Sequence, residues 1–111
     1  MVPSNIKDEI DRMIERLVAR YKPDLVVLFG SAARGEFGED SDVDLLIVKK
    51  TRRRPIWRRV DARKAMDARI PVDVIVYSPS EFERLVRDVN SFVSQVIEEG
   101  TVLYKRDTAE E

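Results

Sequence analysis

Three acidic side chains and one glycine–serine pair are the groups in this chain that together could handle a phosphate. Asp42 and Asp44 flank Val43, and Asp73 stands in Val72-Asp73-Val74-Ile75-Val76. Residues i and i+2 of a strand point the same way, roughly 6.6 Å apart, so Asp42 and Asp44 can converge on one or two divalent ions. If the strand that carries Asp73 pairs beside theirs, a third carboxylate projects from the same face. Carboxylates so placed, with no opposing base beside them in sequence, repel one another unless a cation neutralises them. Hard oxygen donors without nitrogen or sulfur select Mg²⁺ or Mn²⁺ over Zn²⁺. Gly30-Ser31 supplies the other half. A residue without a Cβ lets a phosphate approach the backbone, and Ser31 adds a hydroxyl. A helical turn starting there aims free N–H groups at an anion, and Arg34, one turn on, reaches the same anion. A phosphate cradle beside a two-metal carboxylate site is the equipment of phosphoryl or nucleotidyl transfer. Each piece alone reads as an ordinary turn or a solvated strand entry; the combination is what is specific.

Composition narrows the chemistry further. The chain has no cysteine and no histidine, which excludes disulfides, thiolate and imidazole metal sites and imidazole bases. Carboxylates, hydroxyls, backbone amides and cations must do the work. At 111 residues, 43% hydrophobic and 37% charged, the expectation is one domain spanning 1–111 with a single core. The longest uncharged apolar run is Leu25 to Phe29, far short of the about 18 residues a membrane span needs. Met1-Val2-Pro3-Ser4 has no basic-then-apolar signal pattern, so a cytoplasmic location is expected. The net charge of −1 conceals an uneven layout: Lys49 to Arg69 holds ten bases and two acids, a local +8. That segment reads either as a docking patch for a polyanion or an acidic protein face, or as a solvated loop and helix.

The elements that must position these groups follow from periodicity. Ile6, Ile10, Met13, Ile14, Leu17, Val18 and Tyr21 trace one face of a helix that Ser4 can cap and Pro23 ends. Leu25 to Phe29 is a strand buried on both faces, stopping at Gly30. Ala32-Ala33-Arg34 suits a short helical turn. A second strand spans about Asp42 to Lys49, entered after Ser41. A basic helix runs from Pro55 to Arg69 with a thin apolar face of Ile56, Val60 and Met66. Val72 to Tyr77 is a third strand. Ser78-Pro79-Ser80-Glu81 opens another helix, which continues or kinks near Asn90-Ser91 until Gly100. Thr101 to Tyr104 is a last short strand and Asp107 to Glu111 a polar tail. The expected fold class is α/β (α+β): a small mixed sheet with helices packed on it.

These residues resemble the minimal nucleotidyltransferases of the DNA polymerase β superfamily. Leu28-Phe29-Gly30-Ser31-Ala32-Ala33-Arg34-Gly35-Glu36 through Ser41-Asp42-Val43-Asp44-Leu45-Leu46-Ile47-Val48 is similar to their signature, Gly-Ser followed after ten residues by Asp-x-Asp. Asp73 matches the third carboxylate, and the resemblance extends over nearly the whole chain. It implies a palm-like nucleotidyltransferase fold in which Asp42 and Asp44 bind two Mg²⁺ ions, Asp73 completes the metal site and helps deprotonate the acceptor, and Gly30 with Ser31 holds the triphosphate of ATP. It further implies an antitoxin that transfers AMP to a tyrosine of a cognate HEPN-domain toxin. Direct nucleic-acid binding is not expected, because the chain outside Lys49–Arg69 is acidic. Two other readings stand beside this one: a binding antitoxin that occludes its partner through the basic helix, and nucleotidyl transfer to a small molecule such as an aminoglycoside.

Overall fold

A computed structural model of the chain describes residues 4–35 and 42–107. The elements are α1 (Ser4–Tyr21), β1 (Leu25–Phe29), β2 (Val43–Val48), α2 (Pro55–Met66), β3 (Val72–Tyr77), α3 (Pro79–Val86), α4 (Phe92–Glu99) and β4 (Thr101–Lys105). The four strands form one sheet in the order β3-β2-β1-β4. β1 runs antiparallel to β2 and to β4, whereas β2 and β3 are parallel. The parallel pair requires a crossover, and α2 supplies it. The mixed sheet with helices is therefore the expected architecture. Among the described residues no helix is long and apolar enough to cross a membrane.

Strand alternation sorts the side chains into two layers. Val26 and Leu28, Val43, Leu45 and Ile47, and Val72, Val74 and Val76 face α1 and α2, where Met13, Leu17, Ala62 and Met66 complete the main core. Val27, Leu46 and Val48 face the other way, under Val93 and Val96 of α4, with Phe82 and Leu85 of α3 alongside. The central strands are covered on both faces, as the unbroken apolar run of β1 requires. Asp44 and Asp73, paired across β2 and β3, share this second face, where Asp44 is partly buried and Asp73 exposed.

Three sequence expectations shift. The basic helix stops at Met66, not Arg69, because Asp67 adopts a left-handed conformation with φ 47° and ends the turn. Its buried face is Arg58, Ala62 and Met66, whereas Ile56 is exposed. Finally, the helix expected from Ser80 to Gly100 is two helices: Ser91 Oγ accepts the Ser94 amide at 3.0 Å and starts α4 afresh. The cap expected of Ser4, the Ser41 strand entry, Glu36 and the tail beyond Asp107 lie outside the described side chains.

β3 is an edge strand, and such edges need protection. The parallel register turns the carbonyls of Val72 and Val76 away from β2, and α2 sends an arginine to each. Arg63 Nη2 donates to Val72 O at 2.7 Å, and Arg58 Nη1 approaches Val76 O at 3.5 Å. Arg58 also donates to Arg53 O and to Glu81 Oε1, both at 2.7 Å. Glu81 in turn accepts the Ser78 amide and closes a capping box at the start of α3. That amide, and then the Arg58 guanidinium, hold the Glu81 carboxyl below the ordinary glutamate range. Arg58 thus clamps α2, the sheet edge and α3 together, which fixes the walls of the cleft described next. Arg58→Ala is expected to lower stability by about 2–4 kcal/mol in denaturant unfolding, since it strands the partly buried Glu81 carboxylate. Lys64→Ala, on the exposed side of the same helix, should leave the midpoint in place; equal losses for the two would contradict the clamp.

Candidate active site

The ladder of the sheet places the candidate groups. In the antiparallel β1–β2 pair Phe29 stands opposite Asp44, and in the parallel β2–β3 pair Asp44 stands opposite Asp73. Phe29, Asp44 and Asp73 therefore form one row across three strands. Asp42 lies two residues before Asp44, just ahead of β2, and is exposed.

Gly30 ends β1 with φ +74°, a conformation that side chains disfavour. A Cβ built there would overlap Asp44 Oδ2. The carboxylate of Asp44 lies directly against the glycine backbone, so the Gly-Ser bend and the Asp-x-Asp strand form one site. After the bend, Arg34 N donates to Ser31 O at 3.1 Å and Gly35 N to Ala32 O at 3.2 Å, which is the short helical turn expected there.

Two clefts meet at Phe29 and Phe92, whose rings pack edge to face with centroids 5.5 Å apart. One, of about 500 Å³, has Asp44 and Asp73 on one wall and Pro55, Arg58, Arg59 and Tyr77 on the others. The second, of about 170 Å³, is lined by Gly30, Arg34, Gln95 and Glu99. The carboxylates thus sit between a recess on the glycine side and a larger cleft on the α2 side.

The Asp44 carboxyl is held above the ordinary aspartate range, first by burial and then by the negative charges of Asp73 and Asp42. Asp73 does not lack an opposing base, as the sequence suggested: Arg63, ten residues earlier, reaches it from α2 at 3.8 Å. Among the described residues no three acidic side chains are drawn together closely enough to hold a metal ion as they stand. The donor chemistry nonetheless suits a hard divalent cation. Asp44 carries an electrostatic penalty that positive charge would relieve, and the negative charges beside it, Asp73 and Asp42, are both oxygen donors. Asp42, Asp44 and Asp73 are the residues that would hold such an ion.

Sequence reasoning missed Phe29, Phe92 and Arg58. The 58–62–66 spacing was the available signal for Arg58, since it puts the arginine on the buried stripe of α2 with Ala62 and Met66.

The family model for the nucleotidyltransferase domain matches residues 10–104. A Methanocaldococcus jannaschii protein named as a candidate protein adenylyltransferase is 32% identical over 108 residues, covering 90% of this chain and 99% of its own. A second from the same organism, named likewise, is 27% identical over 109 residues, covering 88% of this chain and 71% of its own. Among solved structures, a candidate nucleotidyltransferase of Sulfolobus solfataricus superposes with a TM-score of 0.59 at 24% identity, covering 97% of this chain and 93% of the other. A toxin–antitoxin structure with AMP-PNP superposes with a TM-score of 0.53 at 19% identity, covering 93% and 76%. At these identities the two structures speak to the fold alone.

The site carries a stability cost that can be measured. An acid that holds its proton more tightly in the folded chain than in the unfolded one favours folding while protonated. It opposes folding once pH rises through its native value. Asp44→Asn is therefore expected to raise the melting temperature at neutral pH in metal-free buffer, with the gain fading as pH falls below the ordinary aspartate range. A variant less stable than the parent at neutral pH contradicts this. Gly30→Ala should lose about 1–3 kcal/mol in denaturant unfolding from its left-handed backbone and the crowding of Asp44.

Proposed function

The chain belongs to the nucleotidyltransferase domain family, and from that membership we propose that it transfers AMP from ATP to a hydroxyl group of a partner protein. One observation carries this reading: the Asp44 carboxylate pressed against the Gly30 backbone. The contact supports a reading in which the Gly30-Ser31 bend and the acidic row serve one phosphate. On this reading Gly30, Ser31 and Arg34 receive the triphosphate in the smaller recess, and the acceptor enters the larger cleft beside Asp73.

The acceptor oxygen attacks the α-phosphorus in line, and the bond from that phosphorus to the β-phosphate oxygen breaks. AMP is then joined to the acceptor through a new phosphorus–oxygen bond, and pyrophosphate departs. Asp73, which lines the larger cleft and is the more exposed of the two carboxylates in the row, takes the proton from the hydroxyl. Asp42 and Asp44, with Asp73, would hold Mg²⁺, which when bound stabilises charge on the phosphorus oxygens and on the departing pyrophosphate. Arg34, at the glycine side, favours the negative charge of the leaving group.

The protein acceptor is supported by the names of the two relatives, and an antitoxin role by the toxin–antitoxin fold neighbour. The finer proposal is a tyrosine of a HEPN-type toxin, with this chain as its antitoxin. An aromatic acceptor suits a cleft bounded by Phe29, Phe92 and Tyr77. Label transfer from α-labelled ATP to a candidate partner is the test. Asp42→Ala and Asp44→Ala should each lower the rate by about a thousandfold or more, several kcal/mol of barrier, while circular dichroism stays native. A chelator should abolish transfer and Mg²⁺ restore it. Undiminished transfer by both variants would overturn the assignment, and labelling of an aminoglycoside but no protein would move the acceptor to the small-molecule class. A binding antitoxin acting by occlusion predicts neutralisation of the partner by Asp44→Ala at full strength.

A further inference from the structure

The first turn of α2 is built the wrong way round for folding alone. Its two largest apolar side chains, Ile56 and Trp57, are 65% and 51% exposed, while the charged Arg58 beside them is buried. The packing of the helix is left to Ala62 and Met66. Around the exposed pair lie Arg52, Arg54 and Arg59, all exposed. Among the described residues none of these three side chains has an ion-pair or hydrogen-bond partner. Arg53 stands over the Trp57 ring at 5.8 Å and pairs with Asp61. An exposed tryptophan and isoleucine in one turn with exposed arginines have the composition of an interface hot spot rather than of a solvated helix face.

This patch is continuous with the larger cleft, because Pro55 and Arg59 line that cleft on the wall facing Asp44 and Asp73. We propose that the Arg52–Arg59 turn is a docking surface for an acidic protein segment whose neighbouring acceptor residue is thereby led into the cleft. The inference rests on reading that cleft as the acceptor site. Charge sets the occupant. The segment Lys49–Arg69 carries +8 in a chain that totals −1, so the remainder is acidic and attracts no polyanion. A phosphate backbone lying on this turn would meet two bulky apolar side chains, Ile56 and Trp57. Charge also sets the register. Asp44, Asp73 and Glu81 line the cleft, so acidic residues of the partner belong on the α2 side of the acceptor and not beyond it.

Trp57 is the one tryptophan in the chain, so its fluorescence reports on the patch directly. The wild type, Arg54→Glu/Arg59→Glu and Asp44→Asn are titrated with a glutamate–tyrosine copolymer, a lysine–tyrosine copolymer and oligouridylate. Label transfer from α-labelled ATP to the copolymers is followed in parallel. The glutamate copolymer should change Trp57 emission saturably in the wild type and in Asp44→Asn. Its affinity should fall by about tenfold or more with the double charge reversal and with a rise in salt. An equal response to the lysine copolymer, or undiminished affinity in the double variant, overturns the docking surface. Tighter binding of oligouridylate assigns the patch to nucleic acid and overturns it as well. Docking that persists when the wild type labels no protein hydroxyl overturns the reading of the cleft, and with it the delivery of the acceptor, while leaving the charge recognition established.

Discussion

The acidic end of the sheet is organised by the contact between the Asp44 carboxylate and the bare backbone of Gly30. No side chain fits at that position, and the backbone there holds a φ that glycine alone adopts at little cost. The contact exists because β1 and β2 are antiparallel with Phe29 opposite Asp44, which brings the end of one strand to the start of the next. The parallel pairing of β2 with β3 then adds Asp73 to the same row. Two strand registers and one glycine thus convert separated sequence motifs into a single site. A slip of one residue in either register would send a carboxylate to the opposite face, into the apolar layer under α1 and α2.

That arrangement is electrostatically unfavourable by itself. Asp44 is half-buried, and its carboxyl is pushed up by burial and by two like charges. The surrounding fold carries this strain with apolar layers on both faces of the central strands. Arg58 and Arg63 reach the outer edge of β3, and Arg63 also faces Asp73. The basic segment therefore divides by direction. Arg58 and Arg63 turn to the sheet and hold the cleft walls, whereas Arg52, Arg54 and Arg59 turn to solvent around Ile56 and Trp57. A single helix serves as crossover, edge cover and outward surface.

Much of this was legible in the residues. The 3.6 periodicity of α1, the unbroken run of β1 and the Gly-Ser and Asp-x-Asp spacing each carry a local physical signature, and the acidic row followed once β3 was placed beside β2. Other features were not legible, for identifiable reasons. The end of α2 at Met66 depends on Asp67 taking a left-handed conformation, which nothing in its neighbours announces. The inversion at Ile56, Trp57 and Arg58 depends on where the helix crosses the sheet edge, so hydrophobicity alone placed Met66 correctly in the buried face and Ile56 wrongly. The Arg63–Asp73 pair joins residues ten apart through the crossover, and the charge pattern along the chain treats them as unrelated. The break between α3 and α4 was narrowed to Asn90-Ser91, but the choice between a kink and a new helix rested on the Ser91 cap geometry.

The proposed function requires that the acidic row across β2 and β3 gather a divalent cation beside the glycine bend, a requirement open to experiment. Its most direct measurement is the anomalous diffraction of manganese in crystals grown with a non-hydrolysable ATP analogue. Manganese is expected on Asp44 with Asp42 or Asp73, with the triphosphate against Gly30 and Ser31. Crystals holding nucleotide with the metal away from all three carboxylates, or with those carboxylates directed apart, would contradict it.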